Sequence, residues 1–512
     1  MTRPLPSLRA SAIANYVGQG WSALISIAFL PLYIGVLGLE SYALIGVFAL
    51  LQAWMSVLDL GLTPTLNREM ARLRAGAHTG ESIRDLLRSL EIICGGIAAM
   101  AAVGLWIAAP WLASEWLHVQ GMAVSTATDA VRIMCFVLAF RFFELIYRGA
   151  LQGAHDQIWL NVTSALLATL RWGGAYIVIT RVAPTVSAFF LWQGAVSILT
   201  TAILIHRTYF ILPEAHRRGR FERSALREIY GFARGMFLGS LLAFVLTQSD
   251  KLAVSSLLPL GELGYYTLAA ALAGALMQLV VPLNTAVYPR LTGQVAEHRE
   301  ADLRETYHAA CEWMAAIVVP PALVLAFFPE LVLLAWSGNP ATAAQVAPLL
   351  RILVLGQLAN AFMNLPYMLQ LAYGWTSLSI RINSAAVIVF VPAVMLAVPR
   401  FGAIGAAWVW LGLNLGYLAI VAAVMHRRLL LGAMPRWYRG AVAYPLGAGA
   451  TAGVILLLAM PEHMSRGTAA LAVVGAGALI FVSTGIAIPA TRGWAWSAVA
   501  GGKSRGSRTC RQ

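Results

Sequence analysis

The sequence predicts an all-α polytopic membrane protein of about 14 transmembrane helices, arranged as two six-helix lobes in a parallel repeat plus two extra C-terminal helices. Three observations predict it. Apolar runs long enough to cross a bilayer recur throughout a 512-residue chain that is 59% hydrophobic and only 11% charged, with a mean hydropathy of +0.73. Basic residues sort to alternate loops between those runs. Short polar signatures recur at a spacing of roughly 220 residues. A soluble protein of this length needs more charged surface, and lipid leaves helices as the way to satisfy the backbone.

Taken in order, the first six spans fall near 12–38, 41–62, 89–112, 130–151, 158–180 and 184–205. The next six fall near 232–258, 263–288, 309–335, 346–372, 378–398 and 405–425. Two more follow near 441–460 and 468–488, and residues 491–512 form a basic Gly/Ser-rich tail. The first run lacks a small-residue cleavage site after it and is read as a retained signal anchor.

Orientation follows from the arginines. Twenty-eight of the 36 Lys and Arg residues lie on one side of this arrangement, from Arg3 through Arg68, Arg207, Arg290 and Arg427 to Arg511. Only Arg181, Arg400 and Arg466 lie on the other, and five are inside spans. The positive-inside rule then places both termini in the cytoplasm and makes the span number even. The net charge of +14 belongs to this asymmetry rather than to nucleic-acid binding, since no soluble basic domain is left to hold a duplex. Cys94, Cys135, Cys311 and Cys510 are scattered, with no disulfide or metal-ligand spacing.

The repeat is carried by several small matches in one order. Glu40 and Tyr42 answer to Glu262 and Tyr265, and Arg68 to Arg290. Arg132-Ile133 answers to Arg351-Ile352, Leu151-Gln152 to Leu369-Gln370, and His206-Arg207 to His426-Arg427. The division expected from it is an N-lobe over 1–228, a C-lobe over 229–428, spans 13 and 14 over 429–490, and the tail. Parallel repeats are a transporter signature, with substrate held at the lobe interface.

Several segments carry a family likeness. The second span ends in Leu58-Asp59-Leu60-Gly61-Leu62, followed by Thr63-Pro64-Thr65-Leu66-Asn67-Arg68-Glu69. The fourth ends in Arg148-Gly149-Ala150-Leu151-Gln152-Gly153. The seventh carries Gln248-Ser249-Asp250-Lys251, the eighth opens with Leu263-Gly264-Tyr265-Tyr266, and the twelfth with Gly402-Ala403-Ile404-Gly405. As a set this resembles the polysaccharide, or O-antigen-type, flippases of the multidrug/oligosaccharidyl-lipid/polysaccharide exporter superfamily. The resemblance implies two lobes forming a V around a cavity that opens alternately to each side. It implies an undecaprenyl-diphosphate-linked oligosaccharide as substrate, a bacterial inner membrane, and other polysaccharide-assembly membrane proteins as partners. Lipid-II-type flippases share the span number, so the subfamily stays open.

Ionisable groups inside spans are costly, about 2.5–3.5 kcal/mol each on insertion scales, and face a cavity or a partner. Arg141, Glu144 and Arg148 lie at i, i+3 and i+7 on one face of the fourth span. They form either an internal salt bridge or a surplus of guanidinium suited to a diphosphate. Arg171, alone in the fifth span, either lines the cavity or pairs with Glu144 or a carbonyl. Asp250 and Lys251 diverge by about 100° around their helix. Arg132 and Arg351, near outer span ends, are read as snorkelling to headgroups. Asn15, Gln19, Asn360 and Asn364 form two i, i+4 amide pairs, which either bind sugar hydroxyls or tie helices together. Asp59, Glu144 and Asp250 are the candidates for H⁺ or Na⁺ coupling. Pro31, Pro282, Pro320, Pro321, Pro366 and Pro392 are bending points or static kinks.

No cofactor or metal site is expected. Gly502-Lys503-Ser504 lacks the first glycine of a Walker A loop, because Ser497 stands there. No H-E-x-x-H or nucleophile elbow is present, and short outer loops disfavour a glycan polymerase or ligase. A cation-coupled multidrug antiporter is the other alternative. Its cavity calls for acidic groups, whereas arginines outnumber carboxylates in these spans.

Overall fold

The computed structural model describes residues 8–74, 78–119, 122–154, 156–215, 217, 219–461 and 464–492. Among the described residues the chain is helical and carries no strand. The helices are α1 (Leu8–Leu37), α2 (Leu39–Leu58), α3 (Leu62–Arg74), α4 (Gly80–Trp111), α5 (Val124–Gly153), α6 (Gln157–Arg181) and α7 (Val186–Ile211). They continue as α8 (Arg223–Leu257), α9 (Leu260–Gly274), α10 (Leu276–Ala296), α11 (Glu300–Phe327), α12 (Pro329–Ser337) and α13 (Pro340–Ala372). The last are α14 (Thr376–Gly416), α15 (Ala422–Leu429), α16 (Met434–Trp437), α17 (Tyr444–Ala459) and α18 (Arg466–Ala487).

Ten helical stretches among the described residues are long and apolar enough to cross a membrane. The expectation of about 14 spans adds three helices to these ten stretches. They are α2, whose apolar stretch is short, and α5 and α8, which carry charges. It also divides Ser377–Leu429 in two. A break does occur in that stretch: Gly402 has φ 64° and ψ −155°, a conformation essentially restricted to glycine.

By contact the chain forms two compact units, Met1–Thr267 with Ala386–Ala406, and Leu268–Ala385 with Ala407–Gln512. Their boundaries differ from the lobes expected at 1–228 and 229–428.

In the first unit α5 is the hub, packed against α3, α4 and α7, while α1 pairs with α6. Close approach of the hub to α3 depends on two glycines. A Cβ on Gly149 would lie 2.7 Å from the Thr63 carbonyl oxygen, and one on Gly153 would collide with the Asn67 carbonyl. The G-A-L-Q-G segment thus receives α3, and Asn67 Nδ2 donates to Gln152 Oε1 across the joint at 3.3 Å. Asp59 makes the preceding turn: its carboxylate accepts from the Thr63 amide at 3.1 Å and from Thr63 Oγ1 at 2.6 Å. Gly61 at φ 77° lets the chain reverse into α3. The two family-like motifs are the two halves of one joint.

Helix α3 was not expected from the sequence. It is too short to span, and its buried Leu62, Leu66 and Met70 recur every fourth residue, the pattern of an amphipathic helix lying on the bundle.

In the second unit α11 packs against α13, α17 and α18. Gly449 and Gly453 of α17 face Leu323 and Phe327, where a Cβ would approach to 2.5 Å. Such small-residue contacts are how helices associate without a hydrophobic drive in lipid. Asn339 caps α13 through the amides of Ala341 and Thr342, with Pro340 at the position that needs no N–H.

The α3–α5 joint is testable. Gly153→Ala is expected to lower stability by about 1–3 kcal/mol through overpacking. Gly96→Ala, where nothing lies within 4 Å, should cost nothing. Thermal unfolding of the two purified variants in detergent gives the comparison.

Candidate functional site

Four helices of the first unit, α2, α5, α6 and α7, converge on a charged cluster. Glu144 on α5 is buried, and its Oε1 lies 3.2 Å from Arg171 Nη2 on α6. Its Oε2 lies 3.7 Å from Arg148 Nη2, one turn along α5. Arg171 also donates to Thr200 Oγ1 on α7 at 3.3 Å; that hydroxyl spends its own proton on the Val196 carbonyl. Arg141, one turn back on α5, donates to Gln52 Oε1 on α2 at 2.7 Å and to Gln193 Oε1 on α7 at 3.4 Å. Its guanidinium lies 5.3 Å from the Phe48 ring centroid, a cation–π distance.

Guanidinium stays charged in proteins, so three positive groups meet one carboxylate. The three are not equivalent. The Arg171 side chain is 10% exposed, whereas that of Arg148 is 32% exposed. Arg148 is held by Ser164 Oγ at 2.9 Å and only loosely by Glu144. Arg148 is thus the more exposed and the less tightly held of the two guanidiniums that face Glu144.

The other sequence-derived candidates lie elsewhere. Asn360 Nδ2 donates to Asn414 Oδ1 at 2.8 Å, Asn364 Nδ2 to the Asn360 carbonyl, and Asn284 Nδ2 to Asn364 Oδ1 at 3.0 Å. These amides link α10, α13 and α14 within the second unit. The side chains of Asn15 and Gln19 lie outside the described residues. Asp59 is occupied in the turn already described. Asp250 on α8 is buried; its Oδ2 accepts from Tyr266 at 2.6 Å, while Oδ1 has no partner among the described residues. Lys251 turns away, to Gln248 and the Thr247 carbonyl. Arg351 donates to the Ala326 carbonyl, and Arg132 lies 5.3 Å from the Trp106 ring. No group of three or more His, Cys, Asp or Glu gathers among the described residues.

Sequence reasoning passed over a set of buried carboxylates at the basic end of the first unit. Asp85 accepts two hydrogen bonds from Arg217, at 2.8 and 2.5 Å, and one from the Arg220 amide. In return Asp85 raises the Arg217 guanidinium above its ordinary range. Glu91 accepts from the Tyr147 and Tyr209 hydroxyls and from Arg88. Glu69 faces Arg72 and His78. The Thr79 cap of α4, which accepts from the Ser82 amide, was the available signal: it starts the helix nine residues before the expected span.

Residues 8–295 match the family described as polysaccharide biosynthesis protein, and residues 236–396 match the MatE family. The chain is 19% identical over 407 residues to a Shigella flexneri protein provisionally named an O-antigen transporter, covering 79% of this chain and 94% of the relative. Among solved structures, the lipid II flippase MurJ in an inward closed conformation aligns with a TM-score of 0.67 at 13% identity, covering 96% of this chain and 99% of that one. An inward-facing multidrug resistance MATE family transporter of the MOP superfamily aligns at 0.63 and 16% identity, covering 81% and 94%. At such identities the two structures establish a shared fold.

Glu144 is expected to act as the counter-ion of the cluster. Glu144→Leu strands buried guanidiniums and should cost about 3–5 kcal/mol, read as a lowered unfolding midpoint. Adding Arg171→Met should recover part of that loss. An unchanged midpoint in Glu144→Leu would remove the assignment.

Proposed function

The chain belongs to the polysaccharide biosynthesis protein family, and from that premise we propose that it flips a polyprenyl-diphosphate-linked oligosaccharide across a bacterial inner membrane. The family matches and the Shigella flexneri relative point to a multi-pass transporter rather than an enzyme. In this proposal the basic end and both termini face the cytoplasm, in keeping with the arginine asymmetry. Alternating access is the motion of two lobes, 1–228 and 229–428, with spans 13 and 14 appended, and the substrate head passes between them.

One observation supports the reading: two guanidiniums, Arg148 and Arg171, share the single carboxylate of Glu144 inside apolar helices, and Arg141, held by Gln52 and Gln193, adds a third positive charge one turn away. A lipid diphosphate cannot take its head through hydrocarbon bare, because stripping water from the anion costs many kcal/mol. Arg148 replaces that water with charge-assisted hydrogen bonds. Arg171 and Arg141 supply a fixed positive field behind it. As the diphosphate arrives, Arg148 exchanges its loose contact with Glu144 for phosphate oxygens, and Glu144 stays paired with Arg171. Lipid II presents the same diphosphate head, so this chemistry serves a lipid-II-type substrate equally.

Coupling to H⁺ or Na⁺ is assigned first to Asp250. Asp59 already accepts three hydrogen bonds and Glu144 is ion-paired, whereas one oxygen of Asp250 has no partner among the described residues. That oxygen is also what a cation-coupled multidrug antiporter would need. The excess of guanidinium over carboxylate in the cluster favours the anionic lipid.

Arg148→Ala is expected to lower glycan export at least about tenfold, the loss of some 1.4 kcal/mol, with normal protein level and lipid-linked precursor retained inside. Arg148→Lys should rescue only partly, since a point charge cannot grip two oxygens in parallel. Arg171→Ala should reduce export as well, by removing the field and freeing Glu144 to hold Arg148. Export at the wild-type rate in both alanine variants would exclude the cluster from transport.

A further inference from the structure

A second cation-bearing feature lies on the outer surface of the first unit, away from Glu144. A groove of about 460 Å³ opens between α6 and α7, lined by Trp159, Ala202, Ile203, His206, Arg207 and Phe210. We propose that it binds the phosphate head of an anionic membrane phospholipid, with one acyl chain lying along α7.

The cation is built into place. Arg207 Nε donates to Asp156 Oδ2 at 2.6 Å, and its guanidinium lies 5.0 Å from the Trp159 ring and 5.7 Å from the Phe210 ring. A carboxylate at one edge and two aromatic faces therefore fix the plane of the fork. Among the described residues the two Nη groups have no acceptor, so paired donors are left for a phosphate, whose oxygens match that geometry. His206 is exposed at the mouth, with its ring stacked on Phe210 at 6.5 Å.

Asp156 balances the charge of Arg207 but meets it through Nε, so the fork keeps its paired Nη donors. Basic pockets of this kind between helices take up anionic headgroups.

The apolar part of the groove selects a lipid over free phosphate. Leu191, Ile198, Leu199 and Phe210 are exposed on α7, as is Ala202, so a continuous apolar stripe runs along the helix and ends at the cation. Trp159 and Phe210 stand where aromatic residues mark the membrane interface. An acyl chain on that stripe brings its phosphate to Arg207 without bending away.

Native mass spectrometry of the full chain in a neutral detergent tests this, with dioleoyl-phosphatidylglycerol and dioleoyl-phosphatidylcholine as probes. The wild-type protein should retain phosphatidylglycerol at least about tenfold more strongly than phosphatidylcholine. Arg207→Gln should abolish the preference. Ile203→Trp, which fills the groove and leaves the Arg207–Asp156 pair intact, should displace both lipids, and it carries the test if Arg207→Gln fails to fold. Equal retention of the two lipids by wild type, or unchanged phosphatidylglycerol retention in Ile203→Trp, overturns the proposal. Inorganic phosphate retained as strongly as phosphatidylglycerol overturns it as well. None of these readings depends on glycan export.

Discussion

A carboxylate held inside apolar helices has to be matched, and Glu144 is the group that the first unit is organised around. Its two oxygens face different partners, Arg171 on α6 and Arg148 on its own helix, and Arg171 in turn reaches Thr200 on α7. One turn back on α5, Arg141 makes a second set of polar links, to Gln52 on α2 and Gln193 on α7. Each of these bonds is made where water is scarce and the unpaired alternative is expensive. The register of α5 against its neighbours is therefore set by polar groups, while its apolar surface and glycines set how closely they pack. Because the positive groups outnumber the negative one, the same arrangement that satisfies Glu144 leaves an attraction for an anion.

The basic end of the unit is held by a different device. The segment that joins α7 to α8 is tied to the start of α4 by Arg217 and Arg220 on Asp85, by the Glu222 amide on Ser89, and by Arg84 on the Pro213 carbonyl. Gly219 comes so close to the Arg84 carbonyl that a Cβ there would collide with it. Glu91 joins α4, α5 and α7 through two tyrosines. Surface ion pairs are worth little, but these carboxylates are buried and multiply bonded, so they fasten the helix ends instead of decorating them. A transporter needs such fastening if bundles are to move as bodies.

Much of this was legible in the sequence, for reasons that can be named. Hydrophobic run length pointed to an all-helical membrane protein, because a bilayer fixes how many apolar residues a helix needs, and ten helical stretches among the described residues meet that length. The i, i+3, i+7 spacing put Arg141, Glu144 and Arg148 on one face, as helical geometry demands. The partner of Arg171 stayed open between Glu144, a carbonyl and the cavity, since the register between two helices is not written in either one. For the same reason Asn360 and Asn364 stood out as polar, while their links to Asn284 and Asn414 could not be read. Helix α3 was hidden because a search for spans passes over thirteen amphipathic residues. Asp85 was hidden because an acidic residue near a loop looks solvated until the loop is seen to fold over it, and Glu91 because its tyrosine partners come from α5 and α7. The Arg207 groove depends on an aromatic pair brought together from α6 and α7, which no single run of sequence displays.

The proposed transport depends on uptake of an anionic lipid head by Arg148, with the Arg171–Glu144 pair kept. The structure of the protein bound to a polyprenyl diphosphate in a lipid nanodisc tests it most directly. A phosphate oxygen within hydrogen-bond distance of the Arg148 guanidinium, with Arg148 drawn away from Glu144 and the Arg171–Glu144 pair kept, is the predicted result. A diphosphate bound away from α5 and α6, with the Arg148–Glu144 contact unchanged, would contradict it.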